Sequence, residues 1–241
     1  MTFIAAPSHT NTNAVRMAFN LLLKPFSLLA CAVPVQVKQL GKASPKLTLH
    51  VNPDISGSKV SPALAQLNDV RSCIFDLVKS GEWLELAHLL HDWDQSRSAA
   101  SDGTRFARHA LFAVADAVSI GKGIDGMPSV SDATVKQIND VLKANPDCYT
   151  LAAISAYLRI CQAWNQRDDA CQDKCAQAAT LLDQYDAEQL NSPLLAGIAC
   201  DVFSVQPTDE DSAKQGFSTW AQLDPKDRVP YAEYKYFRLA A

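Results

Sequence analysis

Residues 148–164 read CYTLAAISAYLRICQAW, and this stretch constrains the fold more than any other. At helical pitch it is apolar nearly all round. A helix without a polar face must be covered on several sides by other elements. The rest of the chain therefore has to supply enough surface to surround it.

From residue 61 onward the apolar spacing is helical almost everywhere. Ser61-Pro62 is a start signal, with serine as cap and proline in the first turn. Leu64, Leu67, Val70, Ile74 and Leu77 form one face, and Gly81 ends that helix. Trp83, Leu86, Leu90 and Trp93 carry the second, which predicts an antiparallel hairpin. Phe106, Ala110, Ala113, Val114 and Ala117 mark a third. Ser131 caps a fourth, whose inward residues are Val135, Ile138, Val141 and Leu142, and Asn145-Pro146 ends it. The apolar stretch is the fifth. A sixth begins near Asp168 or Asp169 and a seventh at Ser192-Pro193. An eighth starts at Thr208, where Thr208 and Asp211 approximate a capping box, and a ninth runs from about Pro230. Glycine is scarce and β-branched runs are nearly absent, so strands are not expected.

Charge divides the chain in two. Residues 1–60 carry a net charge of +5 and the remaining residues −9. The organisation expected is a basic, mostly irregular, poorly ordered leader or linker over 1–60 and an all-helical domain of about nine helices over 61–241. The acidic body excludes nucleic acid as a partner, because phosphate contacts need a clustered positive face. Within the leader, MAFNLLLKPFSLLACAVPV (17–35) is interrupted by Asn20 and Lys24-Pro25. A membrane span needs about 20 apolar residues without a break, so no membrane partner is expected. LLAC (28–31) resembles a lipoprotein cleavage box, which makes an exported, lipid-anchored protein cut near Cys31 the alternative to a cytoplasmic one.

The seven cysteines, at 31, 73, 148, 161, 171, 175 and 200, do not form the pattern of a small disulfide scaffold. DACQDKC (169–175) invites a metal or redox reading. However, Cys171, Cys175, Ala178 and Leu182 recur at steps of four, three and four, which puts both thiols on an apolar seam. Zinc would require four ligands, and no histidine lies nearby in sequence.

SAKQGFSTWAQLDPKDRVPYAEYKYFRLA (212–240) resembles the second half of a tetratricopeptide repeat running into the first helix of the next. Ala213, Phe217 and Pro225 fit the small–aromatic–proline pattern, and Tyr231 stands where the next helix carries an aromatic. Trp220 departs from it, because a bulky ring replaces a small residue. Upstream the likeness is degenerate, and no strict period is visible. The resemblance implies an all-α fold of antiparallel helical hairpins, arranged as a tetratricopeptide-like right-handed α-solenoid or as an irregular helical array. The ninth helix lacks the polar face of a terminal cap, which in such arrays anticipates a further segment or a partner.

Two other motifs suggest chemistry. GKGIDG (121–126) matches the dinucleotide fingerprint literally, yet a helix precedes it and Met127-Pro128 follows where a helix should begin. A loop is expected there. ELAHLLHDWD (85–94) places Glu85, His88 and Asp92 on one helical face with His91 offset, and His109 is the remaining histidine of the body. These five residues are the candidates for a metal-dependent hydrolase, which is the alternative function. A solvated face is the simpler expectation. The leading expectation is a non-enzymatic helical-repeat protein without a cofactor that binds another protein or peptide. Trp93, Tyr231 and Tyr234 are its candidate anchors, while Trp164 is expected in the core.

Overall fold

A computed structural model describes residues 60–123, 126–166, 169–203, 205 and 210–240. The leader expected over 1–60, with its cleavage box, lies outside the described residues but for Val60, as does Thr208 of the capping box. Among the described residues the protein is all-helical: α1 (Pro62–Ser80), α2 (Trp83–Ser96), α3 (Phe106–Ala117), α4 (Asp132–Ala144), α5 (Tyr149–Trp164), α6 (Asp169–Leu182), α7 (Pro193–Phe203), α8 (Glu210–Leu223) and α9 (Val229–Ala240). Two isolated bridges, Ala99 with Arg105 and Lys122 with Pro128, are the extended pairings among them.

The helix ends follow local chemistry. Ser61 Oγ accepts the Leu64 N–H at 3.2 Å, and Pro62 opens α1. Gly81, at φ 72°, closes it, because only glycine takes the left-handed region without strain. Ser131 Oγ caps α4 through the Thr134 N–H at 3.2 Å. Ser192 Oγ accepts the Leu195 N–H at 3.1 Å at the start of α7.

α5 occupies the centre. It packs against α2, α3, α4, α6 and α7, and each of its residues except Arg159 is buried. Around it α1 lies on α3, α7 on α8, and α8 on α9. A smaller apolar cluster of Ala196, Cys200, Ala213, Phe217 and Trp220 joins α7 to α8, with Tyr234 of α9 packed on it. The bulk of Trp220 is accommodated by Gly197 on the facing helix. A Cβ at Gly197 would lie 3.1 Å from the indole ring and from Arg108 Nη1. No described helix is long and apolar enough to cross a membrane.

The GKG segment is a loop after α3. Its ends are joined by Ile120 N–H to Ser129 O at 2.9 Å and Ser129 N–H to Gly121 O at 3.0 Å. Gly123 lies against Asn165 at the end of α5, in space that a Cβ would fill. Asn165 Nδ2 in turn donates to Pro128 O at 2.7 Å and Cys161 O at 2.9 Å. Here, close packing accounts for the glycine.

Candidate functional site

α4 and α6 both pack on α5, and a groove of about 490 Å³ runs between them. That volume is in the range of ligand clefts, roughly 300–1,000 Å³. Helical spacing sets its walls. Along α4 the rim carries Asp132, Lys136, Asp140 and Lys143, at steps of four, four and three, with Val135, Asn139 and Leu142 set deeper. α6 supplies Gln177, Leu181 and Gln184 just past its end, and α5 contributes Arg159.

Two ties cross between the walls. Near one end Lys174 Nζ lies 2.6 Å from Asp132 Oδ1, which also accepts from Gln162 Nε2 at 3.0 Å. At the other, Tyr185 Oη donates to Pro146 O at 2.6 Å. The hydrogen bond and charge of Lys174 hold Asp132 below the usual carboxylate range. Asn139 Oδ1 accepts from Ser155 Oγ at 2.6 Å. Arg159 Nη1 donates to Gln177 Oε1, and its Nε has no partner. Burial pulls the Arg159 guanidinium below the ordinary arginine value, and Asp132 acts in the opposite direction.

A second cluster of charges has a different character. Arg108 of α3 donates through Nη2 and Nη1 to Asp201 of α7 at 2.8 and 3.3 Å, and through Nη2 to Glu233 of α9 at 2.9 Å. Its guanidinium carbon lies 4.7 Å from the Trp220 ring centroid and 5.5 Å from that of Phe112. Burial opposes the charge on Arg108, but Asp201 and Glu233 outweigh it and raise its value. Burial also pushes Glu233 up to about 7 against the pull of Arg108. Close by, Asp94 of α2 accepts from Ser192 Oγ at 2.6 Å, Tyr149 Oη at 2.9 Å and the Leu194 N–H at 3.0 Å. It thereby ties α2, α5 and the start of α7 together. The cavity beside these groups, about 20 Å³, has room for a water and not for a substrate.

The residues singled out from the sequence lie elsewhere. Glu85, His88, His91 and Asp92 are exposed on α2. His91 meets the Tyr149 ring edge-on at 5.4 Å. His109 is buried on α3, with Nε2 3.2 Å from Leu67 O of α1, and burial lowers its value. Among the described residues no three His, Cys, Asp or Glu side chains are placed to hold a metal ion. Trp93, expected as a surface anchor, is instead a core residue, packed edge-on against Phe106 at 5.8 Å. Its stripe of Trp83, Leu86 and Leu90 is buried with it. Tyr234 is half-buried 5.5 Å from Phe217, and Tyr231 is 62% exposed. None of the three lines the groove.

Cys161 is buried within α5, while Cys175 is buried and Cys171 half-buried on the α6 seam expected for the pair. Burial pushes Cys161 up to about 12, and the contact with Cys171 together with burial raises Cys175. Thiols held protonated in this way are poor nucleophiles and poor metal ligands.

Sequence reasoning missed Arg108, Asp201 and Arg159. A shared signal was present. Asp201 is the one formal charge in PLLAGIACDVF, Arg159 the one in the α5 sequence, and Arg108 stands in the apolar run FARHALFAVADA. An isolated charge in an apolar helix must find a counter-ion, a hydrogen-bonding partner or a solvent-facing gap. Comparison with known protein families, with curated proteins and with solved structures finds no match.

Proposed function

We propose that the chain is a non-enzymatic helical-repeat protein of tetratricopeptide-like character, and that it binds a protein or peptide segment in the α4–α6 groove. The observation that carries this reading is the groove itself. It is about 490 Å³ and is tied across by Lys174–Asp132 and Tyr185–Pro146. A cleft walled by two helices accepts an extended or helical segment laid between them. The carboxamides of Asn139 and Gln177, whose oxygens meet Ser155 and Arg159, keep N–H groups that suit the carbonyls of a peptide backbone. Supporting it further are the 212–240 resemblance and the net charge of −9 over 61–241, which disfavours nucleic acid. A stacked, solenoid-like order of the helices and residence in the cytoplasm belong to the same proposal.

Site-specific photocrosslinking in cells of the source organism tests it. A photoreactive residue in place of Gln184 is expected to give discrete protein adducts, and one in place of exposed Glu85 on α2 is not. Equal adducts at both positions, or none at Gln184, would overturn the assignment of the groove.

A further inference from the structure

The carboxylates on the groove rim are already engaged. Asp132 pairs with Lys174 at 2.6 Å and Asp140 with Lys143 at 3.1 Å. Among the described residues neither Lys136 nor Arg159 has an ion-pair partner. Among the described residues Arg159 donates to the carboxamide of Gln177, and Asp132 acts on it only at longer range. The groove therefore presents uncompensated positive charge in a body whose net charge is −9.

Resting on the peptide-binding reading above, we infer that the groove selects a partner segment carrying an acidic side chain, whose carboxylate seats on Arg159 with Lys136 strengthening the local field. A guanidinium is a planar fork that matches one carboxylate in a two-bond geometry. Half-burial of Arg159 means that part of its desolvation is already carried by folding, so an arriving carboxylate adds chiefly its own. Leu181, half-buried on the facing wall, offers apolar contact to the residues flanking that acid. A phosphate dianion or a nucleic-acid backbone would bring more negative charge past Asp132 and Asp140 on the same rim than a single carboxylate does.

A random peptide library displayed on phage, selected against the full chain, provides the probe. Binding of a selected synthetic peptide is then read by fluorescence anisotropy on the wild type, Arg159→Met, Arg159→Lys and Leu181→Glu. The selected peptides are expected to share an Asp or Glu at one position. Replacing it by Asn or Gln should weaken binding about tenfold or more on the wild type, and less than about twofold on Arg159→Met. Arg159→Lys keeps the charge without the fork and should give an intermediate affinity. Peptides that Leu181→Glu excludes but that share no acid, or whose penalty for losing it is unchanged on Arg159→Met, overturn the anchor and leave the groove a peptide site. Peptides unaffected by Leu181→Glu overturn the reading beneath it. Two further results would also overturn the acidic segment as occupant. One is a concentration-dependent dimer in sedimentation that Arg159→Met abolishes, which assigns the groove to a second copy. The other is inorganic tripolyphosphate displacing the peptide at physiological salt, which assigns it to phosphate.

Discussion

Two regions of this protein each place one arginine among apolar neighbours, and they treat it in opposite ways. Arg108 is met by two carboxylates from α7 and α9 and lies over two aromatic rings. Arg159, on the central helix, is met by a single carboxamide and an open groove. The difference teaches what each charge is for. A buried cation whose counter-ions come from distant helices makes removal of either side costly, so it holds a particular arrangement of those helices. A half-buried cation with no ion-pair partner among the described residues contributes little to that arrangement. It is the charge that the proposed partner segment would meet.

The comparison can be broken most directly by removing Arg108. Arg108→Met leaves Asp201 and Glu233 without their cation and should cost about 3–5 kcal/mol in urea unfolding. A cost under about 1 kcal/mol would show that the cluster holds nothing.

Next in size is a pH effect. Glu233 sits at about 7, above its ordinary value of 4.5, so between those two values the native state holds a proton that the unfolded chain has released, and above them Glu233 is the second carboxylate on Arg108. Its stabilising contribution is full below pH 4.5 and is lost as pH rises through about 7. Wild-type stability should fall between about pH 5 and pH 8 by about 1–3 kcal/mol from this group, and Glu233→Gln should flatten that fall. An unchanged slope in the variant would remove Glu233 as its source.

Gly197→Ala sharpens the same region. The added Cβ would press on Arg108 Nη1 and on Trp220 at 3.1 Å. Overpacking outweighs the gain in helix propensity, for a net loss of about 1 kcal/mol by thermal or urea unfolding. A net gain would mean that the knot yields.

Arg159→Met belongs to the other side and should change stability by less than about 1 kcal/mol, because no ion pair is broken. A loss as large as that of Arg108→Met would erase the contrast. Smallest is Lys143→Ala, which removes an exposed pair with Asp140 and should shift stability by no more than about 0.5 kcal/mol in the same assay.

Much of the helical framework was legible in the sequence. Ser61-Pro62, Ser131 and Ser192-Pro193 mark helix starts because capping is decided within four residues. Val135, Ile138 and Leu142 are buried as their spacing predicts, and the 148–164 stretch is the covered centre that its lack of a polar face demanded. The ninth helix begins at Val229, one residue before the expected proline. The site was less legible. Trp93 reads equally well as surface anchor or core residue from its stripe alone, and packing against Phe106 decided it. The polar cluster at 85–94 drew attention away from Asp94, which falls four residues after Leu90 and so on the buried side. The groove is a gap between two helices, and hydrophobic spacing describes filled space only.

By itself the sequence determined where the chain coils, where most of its helices start and which one must be surrounded. Those outcomes depend on contacts a few residues apart, which composition and pitch encode directly. Tertiary structure alone decided that Arg108 is ion-paired and that Arg159, among the described residues, is not. The partners of Arg108 stand 93 and 125 positions away along the chain, and no local rule selects which distant carboxylate arrives.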